Sequence, residues 1–489
     1  MPPSDGKSKS GLISKAQLGL YWELLPKVPL VVRVALLHVL KMSDAAHYLD
    51  LRSDVTISVL RSLLDRSKPR GILKTQAMTL SDPGVRGRIW ISTVASKVPP
   101  EQGLRDALLA AISDMGDAGT KSTSFRIPDI VPIEAEWTGY RAAATPESTP
   151  PPMTEEQKYH EMMKECKNST TVLYFHGGAY YLCDPSTHRP LCKKLAKLTG
   201  GRVYSVRYRL APQHPFPSAV LDALVSYFTL LYPPPGSVHE AVAPGDIVFG
   251  GDSAGGNLTL SLLQTLLHFR RHHVKIPWFG EEREVPLPAA VTANSPWLDL
   301  VQSMPSWTTN QKWDYLPPAK LLSSKQPPAD EAWPAKPPRK HIYIDDAYML
   351  HPLASLHLSK SWEGAPPIYI CCGWECLADE DKYLASKLTK DGVTVVFEEY
   401  EAMPHVFASI LTKLPESRRN LDGWTQFITA ACKDPESIKS TFTSIKAKTL
   451  EEVEIDIKKL TPFSEEDVST MAYERIGRKA PLPEAAPML

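Results

Sequence analysis

The sequence predicts a doubly wound α/β protein: a mostly parallel eight-stranded sheet flanked by helices, with a helical cap built from the N-terminal segment and an insertion. Three observations carry this expectation. Short apolar runs alternate with helical-period stretches from about residue 171 to 400, the pattern of parallel strands joined by crossover helices. One run, Ile247-Val248-Phe249, stops at Gly250-Gly251-Asp252-Ser253-Ala254-Gly255-Gly256 and passes into leucines at helical spacing, so a serine sits at the tip of a strand–turn–helix. The connection from Leu300 to Leu356 is proline-rich, carries Trp307, Trp313 and Trp333, and is too long for an ordinary crossover, so it reads as a cap.

Taken in order, residues 11 to about 70 place apolar side chains such as Leu18, Leu24, Leu25, Val31, Val34 and Val39 at helical spacing, predicting two or three amphipathic helices. Within them Val28–Leu40 contains Pro29, Arg33 and His38 and falls short of the ~20 residues a bilayer requires, which leaves contact with a membrane surface or with the protein itself. Opening strands are expected within Thr75–Ser96 and Phe125–Arg141, with a helix near Leu104–Met115 between them. The four prolines of Ala144–Met153 and the charged run Glu155–Lys167 read as a surface excursion. Strands then follow at Thr171–Phe175, Gly201–Val206, Ile247–Gly250, Ala289–Ser295, Pro367–Cys372 and Val393–Tyr400. Beyond Asp434 the chain is charged, with a helix-capping pattern at Ser464–Asp467 and a proline-rich end, Lys479–Leu489, expected to be mobile. The expected domains are 1–74 (N-terminal helical cap segment), 75–432 (catalytic domain with its cap insertion at 300–356) and 433–489 (C-terminal extension).

Lys plus Arg equals Asp plus Glu at 55 each and no basic stripe stands out, which argues against a nucleic-acid partner. Seven cysteines without a C-x-x-C pair, two of them adjacent in the apolar run around Cys371-Cys372, argue against a disulfide framework and a zinc site. No cofactor is expected. Met1–Ser10 is polar and lacks the apolar core of a cleaved leader, so an intracellular protein is expected and the sequon at Asn168 carries no weight.

Gly251, Ser253 and Gly255 fit G-x-S-x-G, in which a sharp turn lifts a serine hydroxyl above the sheet and leaves no room for flanking side chains. The helix behind it points free N–H groups at the serine, which suits a developing oxyanion. His176-Gly177-Gly178-Ala179-Tyr180 follows the strand ending at Phe175 and precedes the serine by one strand–helix–strand–helix passage. A loop in that place supplies backbone N–H donors, here Gly178 and Ala179 with Ala254 after the serine, and Gly177 belongs to the same set. Of 14 histidines, His405 lies in the loop after the last strand of the alternating series. The preceding strand leads into Glu375, Asp379 and Glu380; Glu375 is the first able to reach back, and Asp379 is the runner-up.

The elements His176-Gly177-Gly178, Tyr208-Arg209-Leu210-Ala211-Pro212 with His214-Pro215-Phe216-Pro217, Gly250–Gly256, Ser295-Pro296-Trp297-Leu298-Asp299 and the His405 loop occur in one order over residues 165–430. In this the chain resembles the hormone-sensitive lipase branch of the α/β-hydrolases, particularly fungal steryl acetyl hydrolases and arylacetamide-deacetylase-like carboxylesterases. The resemblance implies a serine carboxylester hydrolase with Ser253 as nucleophile, His405 as base and Glu375 where the family usually has aspartate. Ala179 stands where a third glycine is common, adding a methyl group near the substrate carbonyl. The implied substrate is a short-chain, acetyl-type ester of a small apolar molecule. The same triad also serves acyl transfer, and some plant relatives are non-catalytic binding proteins. Membrane-anchored relatives imply a cytoplasmic location or one at the endoplasmic reticulum membrane, with contact through 28–40. Arg209, His214 and Asp299 are expected to support the fold.

Overall fold

The computed structural model describes residues 25–64, 70–117, 125–318 and 326–480. The expectations for residues 11–24 and 65–69, and for the proline-rich end from 481 on, lie outside the described residues. The chain divides into two compact units, Met1–Asp65 and Arg66–Leu489.

In the first unit, helices span Val28–Val39, Ala45–Tyr48 and Leu51–Leu64. Lys27 bonds Ser62 Oγ at 2.6 Å, and His38 Nδ1 meets Asp54 Oδ2 at 2.9 Å, so charged side chains tie the first helix to the last.

The second unit is built on a ten-stranded sheet in the order β1-β2-β4-β3-β5-β8-β9-β10-β11-β12, with a small β6-β7 hairpin apart from it. The strands are β1 Ile89–Ala95, β2 Glu134–Tyr140, β3 Thr171–Phe175, β4 Arg202–Arg207, β5 Ile247–Asp252, β6 Ile276–Trp278, β7 Glu281–Arg283, β8 Ala290–Asn294, β9 Ile368–Gly373, β10 Val395–Tyr400, β11 Thr441–Ile445 and β12 Glu452–Glu454. From β4 to β11 all neighbours are parallel, while β1, β2 and β12 pair antiparallel at the two edges. Strands β3, β5, β8 and β9 are buried on both faces, which explains their unbroken apolar runs.

Three elements differ from the sequence expectation. The sheet has ten strands rather than eight: the charged extension contains the β-branched alternation Thr441-Phe442-Thr443-Ser444-Ile445, which adds β11 to β10, and β12 closes that edge. The stretch opening at Thr75 begins as a helix, Ile72–Thr79, because Ile72 and Gln76 share one buried face four residues apart; strand starts only at Ile89. The charged run after Met153 is a regular helix, Glu155–Glu165, with a Thr154/Gln157 capping box and Tyr159 and Met162 turned inward.

Strand order positions the site. The chain passes from β3 to β4 on one side and then returns to β5 on the other, so the loops leaving β3 and β5 diverge next to one another, the place where open α/β sheets bind ligands. Phe175 pairs with Gly251 across that seam. Between β8 and β9, residues 295–318 and 326–367 form an irregular layer with short helical turns at Ser306–Thr309, Asp346–Tyr348 and Leu356–Leu358. Tyr343 of this layer stacks on Tyr180 of the β3 loop at 3.7 Å between centroids, and Trp333 and Ala335 pack on Ile72.

Candidate active site

Ser253 sits between β5 and the helix Ala254–Arg271 with φ 52° and ψ −121°, a backbone conformation costly for any residue with a Cβ and held here by its neighbours. The flanking glycines are steric necessities. A Cβ on Gly255 would stand 2.0 Å from Phe175 O, and one on Gly251 2.3 Å from Gly255 O. The turn can close against β3 only because both are bare.

His405 follows β10, in a loop whose Ala402 and Val406 both adopt left-handed φ. Its Nε2 lies 2.8 Å from Ser253 Oγ, hydrogen-bond distance for a base and the hydroxyl it would deprotonate. On the other side, Nδ1 is 3.5 Å from Glu375 Oε2, long for a hydrogen bond, and neither Nδ1 nor Glu375 Oε1 has a hydrogen-bond partner among the described residues. Contacts of this kind tighten when substrate binds. Glu375 Oε2 also accepts from Ser295 Oγ at 3.0 Å, and Ser295 Oγ accepts from the Val406 N–H.

The other two carboxylates of that loop face elsewhere. Asp379 Oδ2 accepts the Ser306 N–H at 2.8 Å, while Glu380, wholly buried, accepts the N–H groups of Leu298 and Asp299 and the Trp307 indole.

The electrostatics follow from burial. For His405, burial favours the neutral ring, but Glu375, Asp314 and Asp252 outweigh it and raise the pKa above the ordinary histidine value. Burial raises Glu375 against the pull of His405, with Asp314 adding to the rise and Ser295 opposing it.

The loop after β3 turns at Gly178 (φ 113°), Ala179 (φ 51°) and Tyr180 (φ 64°). The N–H groups of Gly178, Ala179 and Ala254 have no acceptor among the described residues, whereas Gly177 donates to Asp252 Oδ1 at 3.1 Å. Gly177 is thus occupied in holding the loop to the elbow, and the other three N–H groups are left available as donors. Asp252 also accepts from Tyr174 OH at 2.5 Å and lies 3.3 Å from His188 Nε2. Against the cost of burial, His188 and Tyr174 keep the Asp252 carboxylate below its usual pKa. The His188 contact has no signal in the sequence, where it reads as a packing or surface residue.

The Tyr208–Pro217 segment braces this loop: Tyr208 stacks on His176 and donates to its carbonyl, and Ala211 N–H bonds Tyr180 O. Arg209 is locked on buried Asp222, and Asp299 accepts the N–H groups of Val301, Ser303 and Met304. His214 is half-buried, and burial lowers its pKa.

One group among the described residues has metal-ligand spacing, Asp114 with His268 and His272, their ligand atoms within 4.8 Å of one another. His268 lies about 20 Å along the elbow helix from Ser253, so this group takes no part in the site.

The comparisons agree with this fold. A family described as alpha/beta hydrolase fold matches residues 172–409. An acetyl-hydrolase of Streptomyces hygroscopicus is 33% identical over 266 residues, covering 54% of this chain and 77% of its own. An esterase of Acinetobacter venetianus is 29% identical over 271 residues, 55% of this chain and 78% of its own. The crystal structure of a hormone-sensitive lipase from a metagenome library shares the fold at a TM-score of 0.50 and 21% identity, over 77% of this chain and 97% of its own. The chain therefore belongs to the alpha/beta hydrolase fold family and is a carboxylic ester hydrolase.

Proposed function

We propose that the protein cleaves short-chain, acetyl-type esters of a small apolar molecule through an acyl-enzyme on Ser253. The observation that carries the reading is the 2.8 Å contact between His405 Nε2 and Ser253 Oγ beside the three available N–H groups. His405 takes the Ser253 proton as Oγ attacks the ester carbonyl, and the N–H groups of Gly178, Ala179 and Ala254 stabilise the tetrahedral oxyanion. The imidazolium returns its proton to the leaving alcohol, and water repeats the sequence to release the acid. Glu375 holds the tautomer and stabilises the imidazolium.

The acetyl preference has two supports: the Ala179 methyl beside the carbonyl site, and the name of the Streptomyces relative. The insertion between β8 and β9 is read as the cap that shapes the pocket. Val28, Val32, Leu36 and Val39 recur along one helix and are each more than half exposed, which supports peripheral membrane contact by the N-terminal segment; no described helix is long and apolar enough to cross a membrane. Release of 4-nitrophenol from the acetate, butyrate and octanoate esters tests the reading. Turnover is expected to fall steeply with acyl length and to vanish in Ser253→Ala; retained turnover in that variant overturns it.

A further inference from the structure

The acid and histidine loops are held by a third carboxylate that the scheme above does not use. Asp314 belongs to the insertion between β8 and β9, and its side chain is wholly buried. Its Oδ2 accepts the N–H of Cys376 at 2.8 Å, the residue after Glu375. Its Oδ1 accepts the N–H groups of Tyr315 at 2.7 Å, Leu316 at 3.3 Å and His405 itself at 3.4 Å. One turn away, Asn310 Nδ2 donates to Glu375 O at 3.1 Å, and Trp313 meets Trp374 edge-on at 5.6 Å. The Tyr315 ring lies 6.2 Å from the imidazole. A single stretch, residues 310–316, therefore grips the main chain of both triad loops.

We propose that Asp314 is a positioning residue for the His405–Glu375 pair, a carboxylate contributed by the insertion that fixes the two loops relative to each other. The proposal rests on the serine-hydrolase reading above. Its grip is geometric: the bonds to Cys376 and His405 join the end of β9 to the end of β10, where the acid and base must meet. Its charge acts among buried groups, with Glu375 and Asp314 wholly buried and His405 3% exposed. The groups facing His405 are Glu375 from the β9 loop, Asp314 and the Tyr315 phenol from the insertion, and Asp252 with Ser253 from the elbow, and Asp252 is itself paired with His188. Asp314 raises the proton affinity of both His405 and Glu375, so its loss shifts the pair in one direction.

Three measurements on the full chain test this: kcat and KM for 4-nitrophenyl acetate against pH, the His405 titration by NMR on histidine-labelled protein, and thermal unfolding. Asp314→Asn keeps the shape and removes the charge. Its plateau kcat is expected to fall about tenfold with KM within about threefold, and its acid limb to move to lower pH together with the His405 titration. Asp314→Glu, which restores the charge, is expected to return the limb towards the wild type. Asn310→Ala loosens the same turn without touching a charge, and is expected to lower the plateau while leaving the limb in place. A wild-type limb and a wild-type His405 titration in Asp314→Asn overturn the proposal, whatever the change in Tm; should that variant not fold, a wild-type plateau in Asn310→Ala overturns it. Failure of the serine-hydrolase reading is visible separately, as ester turnover that survives Ser253→Ala, and the NMR titration reads Asp314 even then.

Discussion

Replacing Glu375 with glutamine removes one charge and almost no volume. The carboxylate lies 3.5 Å from His405 Nδ1, and both side chains are nearly or wholly buried. Two unit charges at that distance interact by about 5 kcal/mol at an effective dielectric near 20. In the reactive form of the free enzyme the His405 ring is neutral and becomes an imidazolium as Ser253 attacks, so for that form this attraction acts on the transition state and not on the ground state. Each 1.36 kcal/mol corresponds to a factor of ten in rate, which puts an upper bound of about 3 × 10³ on the loss from charge alone. The amide can also face Nδ1 with its NH2 group and select the wrong tautomer, a defect that reaches about 10⁴ in related triads. The effect on stability has the opposite sign. Burial raises the Glu375 pKa above its ordinary value, so the fold disfavours the ionised form, and whatever stability the protonated carboxyl contributes is lost as pH rises through the folded pKa. At neutral pH, Glu375→Gln is therefore expected to lower kcat about 10³-fold with KM little changed, and to leave Tm equal or higher. The comparison variant is Asp379→Asn, whose carboxylate accepts the Ser306 N–H rather than facing His405; its kcat is expected within about threefold of the wild type. Steady-state kinetics at neutral pH with parallel thermal unfolding decides the matter. A loss below tenfold in Glu375→Gln, or a larger loss in Asp379→Asn, refutes the reasoning.

Three other outcomes are expected. Because only neutral His405 can accept the Ser253 proton and its pKa is raised, kcat/KM should fall with decreasing pH along a limb centred above 6.5; a limb centred lower contradicts the charge balance around the ring. Gly255→Ala would put a Cβ 2.0 Å from Phe175 O and 2.6 Å from His176 O, both backbone atoms, so a loss of about 3 kcal/mol or more in urea unfolding is expected, and wild-type stability would exclude this packing of the turn. Arg189→Met leaves buried Glu136 without the guanidinium that bonds it at 2.6 and 2.8 Å, for an expected loss of about 3–5 kcal/mol with activity per folded molecule retained; a loss under 1 kcal/mol contradicts the pairing.

The parts of the site legible in the sequence are those whose chemistry constrains neighbouring residues. Gly251 and Gly255 are written into the chain because a side chain at either collides with backbone, and Ser253 is found between them. The loop at Gly177–Ala179 is likewise legible as a strand end followed by glycines, although the engagement of the Gly177 N–H with Asp252 depends on a residue 75 positions away. Glu375 could be ranked above Asp379 from reach along the chain, and the structure sets Glu375 beside His405 and Asp379 on Ser306. Asp314 and Ser295 were beyond reach. Their contacts to His405 and Val406 span 91 and 111 residues, and Asp314 lies in a stretch with neither helical nor strand period to orient it. The strand β11 was missed for a related reason: five residues in a charged tail carry little pattern until β10 offers them an edge.

The most direct measurement of the mechanism is the mass of the chain during turnover. Purified protein mixed with 4-nitrophenyl acetate, quenched in acid within the first turnovers and digested, is expected to gain one acetyl group on the peptide that carries Ser253. The adduct should be absent in Ser253→Ala and should accumulate little in His405→Ala, where no base drives its formation. An acetyl group on another residue, or steady nitrophenol release with Ser253 unmodified at every quench time, would contradict attack by Ser253.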